Sequence, residues 1–95
     1  MRINHVDAST IQDGDYTGTF AYGSFTYEVR TVVRKGRIES VIIVKNRDTK
    51  YARMAEGIAD RIVRKQSPDV DAVTGATTTS KALMKAVENS LLKAR

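Results

Sequence analysis

The spacing of apolar residues along this chain changes period once, near residue 50. Before that point they alternate, as on strands with one buried face, and after it they recur at three and four, as on helices. Tyr16, Phe20 and Tyr22 stand at even spacing with Gly18 between them. Gly23-Ser24 then suits a type II′ hairpin, since glycine accepts the positive φ of the first central position. In the next run Phe25, Tyr27, Val29, Thr31 and Val33 share one face, and Thr26, Glu28, Arg30, Val32 and Arg34 share the other. Lys35-Gly36 supplies a second turn, with Gly36 free to take positive φ, and the β-branched run 37–46 supplies a third strand.

Beyond "NRDTK", Tyr51, Met54, Ala55, Ile58, Ala59, Ile62 and Val63 follow at helical spacing, with charges at positions 53, 56, 60, 61 and 64 between them. Gly57 inside this helix costs roughly 1 kcal/mol relative to alanine, which close packing against a strand would account for. Pro68, the only proline, closes the region. A second helix begins near Thr78, with Leu83, Val87, Leu91 and Ala94 on its apolar face and Ala82, Ala86 and Ser90 beside them. The expected fold is α+β, a small antiparallel sheet (a three-strand N-terminal meander) packed against two C-terminal helices. At 95 residues and 41% hydrophobic content the chain supports one modest core. Residues 13–95 are read as the domain and 1–12 as an N-terminal extension.

Composition removes several chemistries. The chain has no cysteine, so disulfides, thiolate metal sites and thiol nucleophiles are excluded, and any redox chemistry must come from a cofactor. His5 is the only histidine, which leaves no histidine pair for a metal. The net charge of +5 is uneven: residues 28–65 carry eleven basic and five acidic side chains. Such an excess attracts anionic partners or simply forms a solvated face. Aromatic residues interleaved with basic ones, as on RNA-binding sheets, are missing, so no nucleic-acid partner is expected. No run of about eighteen apolar residues and no basic-then-apolar leader is found, so neither a membrane span nor a signal peptide is expected. A domain cut from a longer chain would look the same, and location stays open.

Residues 71–83, "DAVTGATTTSKAL", place hydroxyls at Thr74, Thr77, Thr78, Thr79 and Ser80 around Gly75 and Ala76. The plainest reading makes Thr77 or Thr78 a helix N-cap, Gly75 a turn residue and the other hydroxyls solvated. Three features point elsewhere. The helix has no acidic residue before Glu88, although its N-terminal dipole favours one, and its early charges are Lys81 and Lys85. Such a terminus is suited to an external anion such as phosphate. Gly75 and Ala76 leave backbone amides uncovered, and Thr77 is placed to face the same anion, as a ligand or as the attachment point of a phosphoester.

These residues resemble the FMN-binding domain found in flavin-carrying subunits of the sodium-pumping NADH:quinone oxidoreductase and the Rnf electron-transport complex. The family pattern is Asp, two variable residues, Ser or Thr, Gly, Ala, then Thr or Ser. Asp71-Ala72-Val73-Thr74-Gly75-Ala76-Thr77 matches every defined position, and Thr78, Thr79 and Ser80 match its tail. "DGDYTGTF", "AYGSFTYEV" and "RKGRIESVIIV" resemble the family's opening strands, so the likeness covers residues 13–94. "AYGS" departs from the usual Gly-Tyr-Gly-Gly and "NRDT" matches a His and Glu-Thr region only loosely, at the sheet edge and a loop rather than at the attachment motif.

The resemblance implies FMN as cofactor, with Asp71, Thr74, Gly75, Ala76, Thr77, Thr78, Thr79 and Ser80 at its site. It implies Thr77 esterified through the FMN phosphate by a flavin transferase, and electron transfer to redox partner proteins or a quinone-linked membrane complex. The domain would then be an electron carrier rather than a stand-alone enzyme, working outside the cytoplasm in a membrane-associated parent protein. Tyr16, Phe20, Tyr22, Phe25 and Tyr27 are mostly core by period, with one of them available to flank the flavin ring. Reversible FMN binding by the same loop, or a cofactor-free interaction module using basic region 30–65, are the alternatives.

Overall fold

The computed structural model describes residues 2–94. Strands β1 (Gly14–Tyr22), β2 (Phe25–Arg34) and β3 (Arg37–Lys45) form an antiparallel sheet in the order β1-β2-β3. Helices α1 (Lys50–Ala55), α2 (Ile58–Lys65) and α3 (Thr77–Lys93) follow. The α+β meander expected from the change of period is present. Gly23 has φ +63° while Ser24 keeps a negative φ, as a type II′ turn requires. At the other hairpin both Lys35 (φ 54°) and Gly36 (φ 71°) are left-handed, which makes a type I′ turn. The Lys35 amide donates to Asp13 Oδ1 at 2.8 Å and so anchors the one non-glycine residue of that turn.

Tyr27, Val29, Thr31 and Val33 bury the inner face of β2 in a core shared with Leu83, Val87 and Leu91 of α3. Val32, expected on the wet face, is buried too, beside a register shift between Val32 and Val33. Helix α3 lies directly against the backbone of β1 at Gly18. A Cβ there would lie 2.0 Å from the Ala86 carbonyl oxygen and 2.5 Å from the Ser90 amide nitrogen, so only glycine fits. Ser90 Oγ sits 2.8 Å from Thr31 Oγ1 and 2.6 Å from the Val87 carbonyl oxygen. With one proton each, Ser90 donates to Val87 and accepts from Thr31.

The helix expected from Tyr51 to Val63 is broken, so three helical segments follow the sheet rather than two. At the break the Glu56 and Gly57 amides reach back only three residues, to the Arg53 and Met54 carbonyls, each at 3.2 Å. No strand presses on Gly57. A Cβ there would meet Met54 O at 3.5 Å and Val73 Cγ2 at 3.7 Å, both ordinary contacts.

Two long-range ties complete the frame. Gln66, left-handed at φ 60°, imitates a strand neighbour: its Oε1 accepts from the Ile38 amide at 2.7 Å and its Nε2 donates to the Ile38 carbonyl at 2.9 Å. The segment before β1 packs into the same core through Val6, Ala8 and Ile11. Its Asn4 meets the buried carboxylate of Glu88 through backbone amide and side chain, at 3.3 and 3.2 Å, and Lys85 Nζ reaches the same carboxylate at 3.0 Å. Burial alone would raise the Glu88 pKa. The hydrogen bonds from Lys85 and Asn4, with the Lys85 charge, outweigh it and hold the carboxyl below its ordinary value.

Candidate functional site

The connection from α2 to α3 is held at both ends. On one side the Arg61 guanidinium donates to the Asp71 and Ala72 carbonyls at 2.9 and 3.1 Å. On the other, Ser80 Oγ, fully buried, accepts from the Val73 amide at 3.1 Å. Between these anchors the Ala76 amide bonds the Val73 carbonyl at 2.9 Å, closing a turn. Gly75 is its third residue with φ +84°, while Thr74 keeps a negative φ, so the turn is type II and needs glycine there. Nothing lies within 4 Å of a Cβ built on Gly75, so its outer side is open.

Helix α3 starts at Thr77, one residue earlier than expected. Its N-cap is Ala76 (φ −137°, ψ 40°), with no side-chain cap bond and no acidic residue in the first turn. The reading of Thr77 or Thr78 as N-cap is therefore corrected: both lie inside the helix. The Ser80 amide is the first to find a helical acceptor, the Ala76 carbonyl, at 2.9 Å. Among the described residues the amides of Thr77, Thr78 and Thr79 have no partner.

The same three residues border a recess of about 420 Å³ lined by Tyr51, Gly75, Ala76, Thr77, Thr78 and Thr79. Thr77 and Thr78 are exposed and Thr79 is half-buried. The structure thus gathers five of the eight motif residues on one recess. Asp71 and Thr74 border a second hollow, of about 590 Å³, with Arg61, Arg64 and Lys65. Ser80, expected among the cofactor residues, is buried and holds the loop's shape through Val73. The signal that could have placed it inside is its position three residues before Leu83 on the apolar stripe of α3.

Tyr51 was not foreseen at the site. Its spacing puts it on the buried stripe of a continuous helix, but the break after α1 leaves it 61% exposed beside Thr77. The N-cap Thr49 fixes the start of α1 by accepting from the Ala52 amide at 3.0 Å, and Asn46 donates to the Ala52 carbonyl at 2.8 Å. "NRDT" therefore serves to set α1 in place. Of the other tyrosines and phenylalanines, Tyr27 is buried, Tyr16, Phe20 and Phe25 are half-buried, Tyr22 is exposed, and none lines the recess.

A family model described as FMN-binding domain matches residues 22–92, three quarters of the chain. The chain belongs to the FMN-binding domain family. An uncharacterised protein of Treponema pallidum (strain Nichols) is 40% identical over 83 residues, or 85% of this chain. The chain spans 23% of that protein's length.

The residues at the recess fit FMN. Three unpartnered amides at a helix N-terminus, hydroxyls beside them and no carboxylate in the first turn make a donor set suited to a phosphate dianion. The open side of Gly75 lets such a group approach the backbone. Lys81 does not line the recess, and Lys85 is committed to Glu88 and to the Arg2 carbonyl at 3.2 Å. A phosphate placed in this recess would meet backbone amides rather than a lysine. Among the described residues no cluster of His, Asp and Glu could hold a metal. No helix among them is long and apolar enough to cross a membrane.

Proposed function

We propose that this FMN-binding domain carries its flavin covalently, as a phosphoester on Thr77, and serves as an electron carrier rather than as a stand-alone enzyme. The observation that carries the reading is the exposed Thr77 side chain at the first position of an uncapped helix, flanked by amides without a partner among the described residues. A threonine hydroxyl is a weak nucleophile, and among the described residues no carboxylate, histidine or lysine lines the recess to activate it. Attachment therefore calls for a separate flavin transferase and a donor whose flavin phosphate bears a phosphoanhydride leaving group. The Thr77 Oγ1–P bond forms as the anhydride bond breaks, and the hydroxyl proton leaves with the departing nucleotide. The free amides of Thr77, Thr78 and Thr79 would then hold the phosphodiester's charge.

Bound flavin supplies one- and two-electron chemistry, and the protein supplies position and electrostatics. Arg61, Arg64 and Lys65, none of them paired to a carboxylate among the described residues, border the hollow next to Thr74 and offer an acidic redox partner a docking face. A quinone-linked membrane complex outside the cytoplasm is the setting proposed for that exchange, on the strength of the family resemblance.

Co-expression with a flavin transferase tests the reading. The wild-type protein is expected to stay yellow through denaturation in guanidinium and precipitation in acid, whereas Thr77→Ala is expected to be colourless after the same treatment. Release of the flavin from wild type on denaturation would establish reversible binding instead.

A further inference from the structure

We propose that Tyr51 is the aromatic wall against which the flavin ring lies, an inference that rests on reading the Thr77 loop as the phosphate site. At 61% exposure Tyr51 is the most open of the large hydrophobic side chains described, ahead of Val44 at 50% and Tyr22 at 47%. Of the six exposed large hydrophobic residues it alone lines the recess that holds Thr77. Its hydroxyl has no hydrogen-bond partner among the described residues, in contrast to that of Tyr16, which donates to the Gln12 carbonyl at 2.7 Å, and that of Tyr27, which accepts from Arg47 Nε at 3.2 Å. Among the described residues the ring neither belongs to the core cluster nor makes a hydrogen bond.

The backbone that carries it is nonetheless anchored. Tyr51 is the second residue of α1, whose start is fixed by the Thr49 cap and whose Ala52 and Ala55 are buried. Asn46 Nδ2 holds both the Ala52 carbonyl, at 2.8 Å, and Glu56 Oε2, at 2.9 Å, bracing α1 at two points. The recess therefore combines the residues Thr77–Thr79, whose amides lack a partner among the described residues, with the aromatic ring-bearing residue Tyr51. An FMN molecule carries the same two chemistries at its two ends, a phosphate and a planar π system. Aromatic rings pack by offset stacking or edge-to-face contact, and such contact would cover apolar surface that Tyr51 otherwise leaves in water.

The test uses the flavin-loaded domain, as wild type, Tyr51→Leu and Tyr51→Phe, with occupancy measured by intact mass and folding by far-ultraviolet circular dichroism. Flavin emission per bound flavin is then read, together with visible circular dichroism. Contact with an electron-rich ring quenches flavin emission. The expected result is weak emission in wild type, a several-fold rise in Tyr51→Leu with a diminished visible dichroic signal, and a dichroic signal in Tyr51→Phe close to that of wild type. Equal emission and equal dichroism in loaded wild type and Tyr51→Leu would overturn the role of Tyr51 while leaving the phosphate site intact. A wild-type protein that takes up no flavin would overturn the site reading itself, and it would show in the mass before any emission was recorded.

Discussion

Between Ser80 and Leu91 every buried polar side chain of α3 has a partner, whereas from Thr77 to Thr79 no backbone amide has one among the described residues. Ser80 holds Val73, Glu88 is gripped by Asn4 and Lys85, and Ser90 is joined to Thr31 and Val87. The first turn of the same helix has neither a cap nor an acidic residue. A helix start with a good cap is more stable by about 1 kcal/mol. The difference separates what holds the fold together from what the fold leaves unsatisfied: the body of α3 gives the fold its core, and its N-terminus lacks a cap's stability and, on the proposed reading, keeps its donors for the flavin phosphate.

The comparison can be broken from the packed end. Gly18→Ala forces a Cβ to within 2.0 Å of the Ala86 carbonyl oxygen, and because both clashing groups are backbone, α3 must move off the sheet. A loss of about 3 kcal/mol or more is expected, read as a lower urea midpoint. An unchanged midpoint would show that α3 does not sit on β1 as described.

Glu88→Gln tests the buried ion pair. It leaves Lys85 without its carboxylate and should cost about 1–3 kcal/mol at neutral pH. The Glu88 carboxyl has a folded pKa below the ordinary 4.5, so its contribution is complete above that value and is lost as pH falls through the folded pKa. Urea titrations from pH 7 downward should therefore show the gap between wild type and variant closing only below about pH 4.5. A gap that does not change with pH would contradict the pairing.

The smallest expected effect sharpens the comparison from the open end. Thr78→Glu places an acidic side chain in the first turn and should raise stability by about 0.3–1 kcal/mol through the helix dipole. The same charge should repel the flavin phosphate and lower loading by the transferase. A variant that gains stability and loads flavin as wild type does would mean the phosphate lies elsewhere.

Much of this architecture was legible because it rests on local rules. Alternation in Phe25–Val33 gives the buried face of β2, and Gly23 and Gly36 fall where the hairpins need positive φ. The turn at Gly75 was legible for the same reason, since a type II turn is set by that glycine and its neighbours alone. What escaped depends on contacts between residues far apart in sequence. Val6, Ala8 and Ile11 fit neither period, so their burial could not be read from spacing. The grip of Gln66 on Ile38 spans 28 residues and leaves no local mark. Gly57 was noticed, but one glycine inside a helical period does not say whether the helix continues or tightens and breaks. The exposure of Tyr51 follows from that break, so an error at one joint hid a residue of the recess.

The most direct test of the central claim is mass mapping of tryptic peptides from protein co-expressed with a flavin transferase. Cleavage after Lys65 and Lys81 isolates residues 66–81, which contain Thr77 and the whole loop. The account predicts that this peptide alone gains the mass of FMN less water, that fragmentation places the addition on Thr77, and that Thr77→Ala abolishes it. An addition on any other residue, or an unmodified peptide from protein exposed to an active transferase, would contradict it.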